Sequence, residues 1–264
     1  MPGSTAHPRD ARFVLTCVGI GLLAGLLSGL FGVGGGTVIV PLLVLALGYD
    51  QRLAAGTSLA AIVPTATVGV ISYAVHDSVA WIPALLLAAG AVAGAQLGSW
   101  LLPRVPITVL RWAFVGFLVL VIVSLFVVIP SRDAELDLTL LTGAGLVVLG
   151  VVTGITAGLI GVGGGIIVVP ALMVLFGTSD LVAKGTSLLM MIPTAVSGTI
   201  GNVRRGNVDL VAAAVIGGAA CTTTALGAWI ATIVDPLLGN ILFAAFLVVI
   251  AIQMALRAIR GRRT

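Results

Sequence analysis

Two stretches of this chain carry the residue types from which an anion site can be built. They read GLFGVGGGTVIVP, from Gly29 to Pro41, and GLIGVGGGIIVVP, from Gly158 to Pro170. In soluble α/β enzymes a glycine run of this kind holds a phosphate at the start of a helix, but neither soluble version fits. No Lys-Ser or Lys-Thr pair follows at P-loop spacing, and no acidic residue lies about 20 positions on, as a dinucleotide site requires. What remains is the backbone chemistry: free N–H groups and a helix dipole of roughly half a charge bind an oxyanion without any charged side chain. The candidate substrate-binding backbone is therefore Gly34, Gly35, Gly36 and Thr37 in the first run and Gly163, Gly164 and Gly165 in the second. Close helix packing asks for small residues spaced four apart rather than three in a row. Glycines of the spaced kind stand elsewhere, at Gly21, Gly25 and Gly29, at Gly150, Gly154 and Gly158, and at Gly90, Gly94 and Gly98. Those read as packing positions.

Hydroxyl groups recur in the same doubled fashion. AAGTSL (Ala54–Leu59) and AKGTSL (Ala183–Leu188) supply Thr57, Ser58, Thr186 and Ser187, and Thr65 and Thr194 each follow a helix-kinking proline, Pro64 or Pro193. A single hydroxyl in a membrane helix most often bonds its own backbone four residues back. Its recurrence in both copies favours convergence on one cavity. Lys184 stands where the first copy has Ala55; it either attracts an anion or snorkels to the headgroups. Arg204 and Arg205 anchor one mouth of the second half and would concentrate anions there.

The elements that position these residues belong in lipid. Apolar residues make up 59% of the 264 positions and charged residues only 8%, against about 25% charged in soluble domains. The net charge of +4 comes from basic residues spread between apolar runs, so it speaks for membrane orientation and against a nucleic acid partner. Cys17 and Cys221 lack metal-ligand spacing and read as two buried structural thiols. No metal and no cofactor is expected. Arg9 and Arg12 precede a run, Phe13 to Phe31, that is too long for a signal-peptide core, which predicts an uncleaved first helix.

A duplication at an offset of 129 residues organises the chain. GLLSGLFGVGGGTVIVPLLVLALG (Gly25–Gly48) aligns without a gap on GITAGLIGVGGGIIVVPALMVLFG (Gly154–Gly177), and the match continues through the GTS triplets, the PTA triplets, LGSW with LGAW, and Phe114 and Phe117 with Phe243 and Phe246. Each half divides into five apolar segments: 13–31, 37–47, 53–75, 79–101 and 107–129, then 139–160, 166–176, 182–201, 208–232 and 236–256. The expected organisation is a cytoplasmic tail (1–12), a first transmembrane repeat (13–129), an extracytoplasmic linker (130–138), a second repeat (139–256) and a basic cytoplasmic tail (257–264). At 1.5 Å per residue the second segment of each half covers about 17 Å of a core about 30 Å thick, so it cannot cross alone. Irregular backbone at such depth is tolerated only where it is buried in protein or lines a wet cavity.

If segments one and two leave from and return to one side, three crossings remain and the second half is inverted. With the N-terminus inside, all but two of the 13 basic residues, Arg132 and Lys184, fall on the cytoplasmic side. The fold class expected is an all-α polytopic membrane protein of two inverted repeats, each with a short broken or re-entrant second segment. Carriers of that design hold substrate near the midplane, where broken helices of both halves meet.

The residues that are missing narrow the function. No Asp, Glu or His lies in the middle of an apolar segment, so a carboxylate proton relay is not expected. Two histidines and two isolated cysteines offer no catalytic constellation near the repeats, so an enzyme is not expected either. Each negative charge leaving a cell gains about 2.3 kcal/mol per 100 mV, so anion export needs no proton. An anion channel, or a carrier for an unrelated small metabolite, would use similar parts and stays open.

The doubled G-x-G-G-G with its downstream proline, followed by A-x-G-T-S-L, resembles the sulfite exporter TauE/SafE family of membrane transporters, over about residues 13 to 256. The resemblance implies a secondary transporter, usually an exporter, of small organosulfur anions such as sulfite or sulfoacetate across the cell inner membrane. It carries the two glycine turns and the two GTS triplets over as site residues. The partners expected are that small anion and the lipid bilayer, and a homo-oligomer is compatible with the pattern.

Overall fold

The computed structural model describes residues 10–101, 138–160 and 162–260, with positions 112, 115, 116, 119, 122 and 123. Among the described residues every regular element is a helix: α1 Ala11–Phe31, α2 Gly36–Ala46, α3 Gln51–Ala74, α4 Trp81–Leu101, α5 Leu140–Ile160, α6 Gly165–Phe176, α7 Asp180–Arg204, α8 Leu210–Ile233 and α9 Pro236–Arg260. The starts of α1 to α4 recur 129 residues later: Ala11 and Leu140, Gly36 and Gly165, Gln51 and Asp180, Trp81 and Leu210. Apart from the isolated positions, the expected segment 107–129 lies outside the described residues. So do the linker up to Asp137 and residues 1–9 and 261–264.

Several helix starts are fixed by a side chain that accepts from the first free amides. Asp10 accepts from Phe13 N, Asp50 from Arg52 N and Leu53 N, Ser179 from Val182 N, and Asp209 from Val211 N and Ala212 N. The Asp10 cap explains why α1 begins at Ala11, two residues ahead of the apolar run. At the other end of the chain, α9 continues to Arg260, past the expected limit at 256. Pro64 and Pro193 sit inside α3 and α7, and both helices continue through them.

Six of the described helices are long and apolar enough to cross a membrane: α1, α3, α4, α5, α7 and α8. At 11 and 12 residues, α2 and α6 are not. The long helices meet through their spaced glycines. Those of α1 lie on the backbone of α8, Gly21 at Ile216, Gly25 at Ala220 and Gly29 at Thr224, while those of α4 lie on α5, Gly90 at Val147, Gly94 at Val151 and Gly98 at Ile155. Absence of a Cβ is what allows such approach, and it is how helices gain contact in lipid.

The two seams are copies of one another. Gly21 meets Ile216, and its equivalent Gly150 meets Leu87, the equivalent of Ile216; Gly98 meets Ile155, and Gly227 meets Leu26. Between the seams, α3 packs on its own copy α7. Gly69 touches Leu188 while Gly198 touches Leu59, so the two helices run antiparallel. Phe31 at the end of α1 stacks on Phe243 and Phe246 of α9, each at 5.2 Å between ring centroids.

Candidate functional site

Both glycine turns end a long helix and start a short one. Gly32 closes α1 in the left-handed conformation, its N–H donating to Ser28 O at 2.8 Å. Gly34 and Gly35 then take φ of +72° and +73°, and Gly163 and Gly164 take +80° and +84°. Side chains other than glycine rarely enter that region. The chain thereby reverses tightly and delivers the first amides of α2 and α6 into the protein interior. Neither N-cap, Gly35 nor Gly164, offers a side chain to those amides.

The two turns touch. A methyl group on Gly36 would approach Val162 O to 3.1 Å, and one on Gly165 would approach Gly32 O and Val33 Cα to 2.9 Å each. Over both turns lie Ile62 of α3 and Met191 of α7, which are equivalent positions and fully buried. The terminal methyl of Met191 occupies the space in front of both Gly34 and Gly163. Two uncapped helix starts therefore meet, and an isoleucine and a methionine cover both turns.

The hydroxyls sort into three groups. Thr57 Oγ1 accepts from Asp209 N and Thr186 Oγ1 from Ala80 N, each at 3.0 Å. These two threonines join each half to the loop before the fourth helix of the other. Thr65 Oγ1 donates to Ala61 O and Thr194 Oγ1 to Met190 O, four residues back in both cases. The hydroxyls of Thr37, Ser58 and Ser187 are buried and have no hydrogen-bond partner. Ser58 Oγ lies beside Gly36, at 3.1 Å from where its Cβ would stand.

Lys184 does not snorkel. It is 6% exposed, and its Nζ donates to Asp180 Oδ2 at 3.1 Å within a buried pair. Its Cα and Cβ lie against Gly32 of the first turn. Of the two cysteines, Cys17 is buried as expected, whereas Cys221 is only half-buried; both are free thiols. Among the described residues no cluster of His, Cys, Asp or Glu is arranged to hold a metal.

Comparison with known proteins agrees with this architecture. A family model described as sulfite exporter TauE/SafE matches residues 2–125 and 146–264. The chain belongs to that family. The TauE/SafE match spans both halves and both glycine turns, and it makes this multi-pass protein a membrane transporter. The chain is 30% identical over 193 residues to the probable membrane transporter protein YdhB of Bacillus subtilis (strain 168), covering 72% of this chain and 78% of YdhB. Against YunE of the same organism, also a probable membrane transporter protein, identity is 29% over 231 residues, covering 78% and 84%. A probable membrane transporter protein of Methanocaldococcus jannaschii, MJ0441, is 25% identical over 164 residues, covering 58% and 59%. No solved structure matches the chain.

Sequence reasoning missed two residues of this TauE/SafE chain. Asp180 opens α7 as a buried residue, 3% exposed, and pairs with Lys184. The signal was available, since Asp and Lys four apart on a helix face are within reach of each other. Met191 carried no signal, because a methionine in an apolar segment reads as ordinary core.

Proposed function

We propose that this chain is a secondary carrier that exports small organosulfur anions, such as sulfite or sulfoacetate and related sulfonates, across the inner membrane by alternating access. Its site is the volume between the two glycine turns. Gly34, Gly35, Gly36 and Thr37 contribute amides from one half, and Gly163, Gly164 and Gly165 from the other. Ser58 and Ser187 add hydroxyl donors, while Thr57, Thr65, Thr186 and Thr194 hold the surrounding backbone.

One observation carries this reading: the buried hydroxyls of Thr37 and Ser58 at the first short-helix start, and of Ser187, the equivalent of Ser58, are left without protein partners. A buried hydroxyl without a partner costs about 1–3 kcal/mol, so Thr37 and Ser58 at an uncapped helix N-terminus, with Ser187 at the position on α7 equivalent to Ser58, need a reason. A pyramidal or tetrahedral oxyanion supplies it, accepting from amides and hydroxyls at once. The exchange of equivalent contacts between halves, with α3 and α7 antiparallel, supports a twofold axis in the membrane plane and hence inverted topology. The distribution of arginines supports cytoplasmic termini.

Replacing the serines tests the site. Ser58→Ala and Ser187→Ala each remove a hydroxyl that makes no bond within the protein. Thermal stability in detergent should therefore hold or rise. Half-saturating sulfite in proteoliposome flux should rise about tenfold for each, roughly 1.4 kcal/mol of lost binding. Serines that merely packed would leave flux unchanged.

A further inference from the structure

On α7 a buried stripe joins the glycine turns to a crevice beside the end of α1. Asp180, Lys184, Ser187 and Met191 are spaced by four, three and four residues, so they share one helix face. All four are buried. At one end Met191 covers Gly34 and Gly163. At the other, Asp180 and Lys184 line a crevice, too narrow to admit a water molecule in this structure, with Phe31, Ala231 and Leu242.

The fold does not require charge on this stripe. The equivalent positions on α3 are Gln51, Ala55, Ser58 and Ile62, so the first half has the same pattern without an ion pair. Nor is the pair fully satisfied: Asp180 Oδ2 accepts from Lys184, but Oδ1 is buried without a partner. A buried ion pair stabilises only when its remaining lone pairs are also met.

The geometry points to a second anion subsite at Lys184, filled in this structure by the Asp180 carboxylate and taken by a small sulfur oxyanion when that carboxylate turns aside. The subsite rests on the carrier reading above. A carboxylate and a sulfite or sulfonate group present similar oxygen acceptors to an ammonium, so one replaces the other without a new donor. Lys184 touches the first turn at Gly32 and Ser187 follows it by one helical turn, which places the subsite on the route between turns and crevice. Because the first half lacks it, one access route has a charged step and the other does not. The two faces of the carrier therefore bind the anion with unequal affinity.

The test uses the full chain reconstituted in one orientation, with sulfite varied on each face in turn. Asp180→Gln with Lys184→Ala copies the residue types of the first half. It should raise half-saturating sulfite about tenfold at the face served by the N-terminal end of α7, and leave the other face within about twofold. Asp180→Asn alone removes the competing carboxylate and should lower half-saturation several-fold at that same face. Unchanged values at both faces in the double variant, or an equal rise at both, would overturn the subsite while leaving the carrier reading intact. A rise or no change in Asp180→Asn would overturn it also, which keeps the test decisive if the double variant does not fold. Absence of any sulfite or sulfonate flux in the unaltered protein would overturn both.

Discussion

Gly25→Ala and Gly154→Ala should each lower the apparent melting temperature by about 5–10 °C in detergent, and by similar amounts. A Cβ at Gly25 would overlap Ala220 O and Thr223 Oγ1 and come within 2.6 Å of Ala220 Cα; at Gly154 it would overlap Ala91 O and come within 2.7 Å of Ala91 Cα. The obstacle in both cases is backbone, which cannot move aside as a flexible side chain can. The helices must separate, and over-packing of this kind costs about 1–3 kcal/mol or more. Gly19 and Gly218 lie on the same pair of helices, α1 and α8, with nothing within 4 Å of their Cβ positions. Alanine there should be neutral or stabilising, since it favours helix over glycine by about 0.5–1 kcal/mol. Equal losses at Gly25 and Gly154 would also report that the two seams are equivalent.

The second large effect falls on transport. Gly34→Ala and Gly163→Ala should reduce sulfite flux more than tenfold, about 1.4 kcal/mol or more at the rate-determining state, with a smaller loss of stability. Each position has positive φ and faces the terminal methyl of Met191. Met191 can shift its flexible end, so the steric part is cheap. The left-handed backbone cannot be relieved that way and costs about 1–2 kcal/mol for a residue with a Cβ, which turns the following amides out of alignment. Gly48→Ala and Gly177→Ala provide the control. They carry the same backbone conformation, at φ of +63° and +65°, with nothing within 4 Å. They should show the strain in stability and keep their flux.

Much of this architecture is legible in the residues themselves. A gap-free repeat at 129 residues fixes equivalent helix starts, and the run from Thr37 to Leu47 is too short to cross a membrane, as α2 shows at Gly36–Ala46. Spaced glycines announce close helix seams because nothing else permits backbone contact in lipid. The assignment of hydroxyls is a different matter. Thr57 and Ser58 are neighbours in sequence, yet one accepts from Asp209 N and the other has no partner. Which of two adjacent side chains meets a distant loop depends on helix rotation, which an apolar segment with polar residues on several sides does not specify. The same holds for Lys184: its type and depth fit either a headgroup or a buried partner, and only the packing of α7 against the first glycine turn at Gly32 places it inside.

The proposed carrier function requires that one oxyanion bind between the two turns. Competition against labelled sulfite flux, in proteoliposomes of the unaltered protein and of the Ser58→Ala, Ser187→Ala double variant, measures this most directly. Small sulfur oxyanions should compete, while neutral and cationic solutes of similar size should not. In the double variant the half-saturating concentration should rise about a hundredfold, the product of two equal losses of about 1.4 kcal/mol. Equal competition by neutral solutes, or an unshifted concentration in a folded double variant, would contradict it.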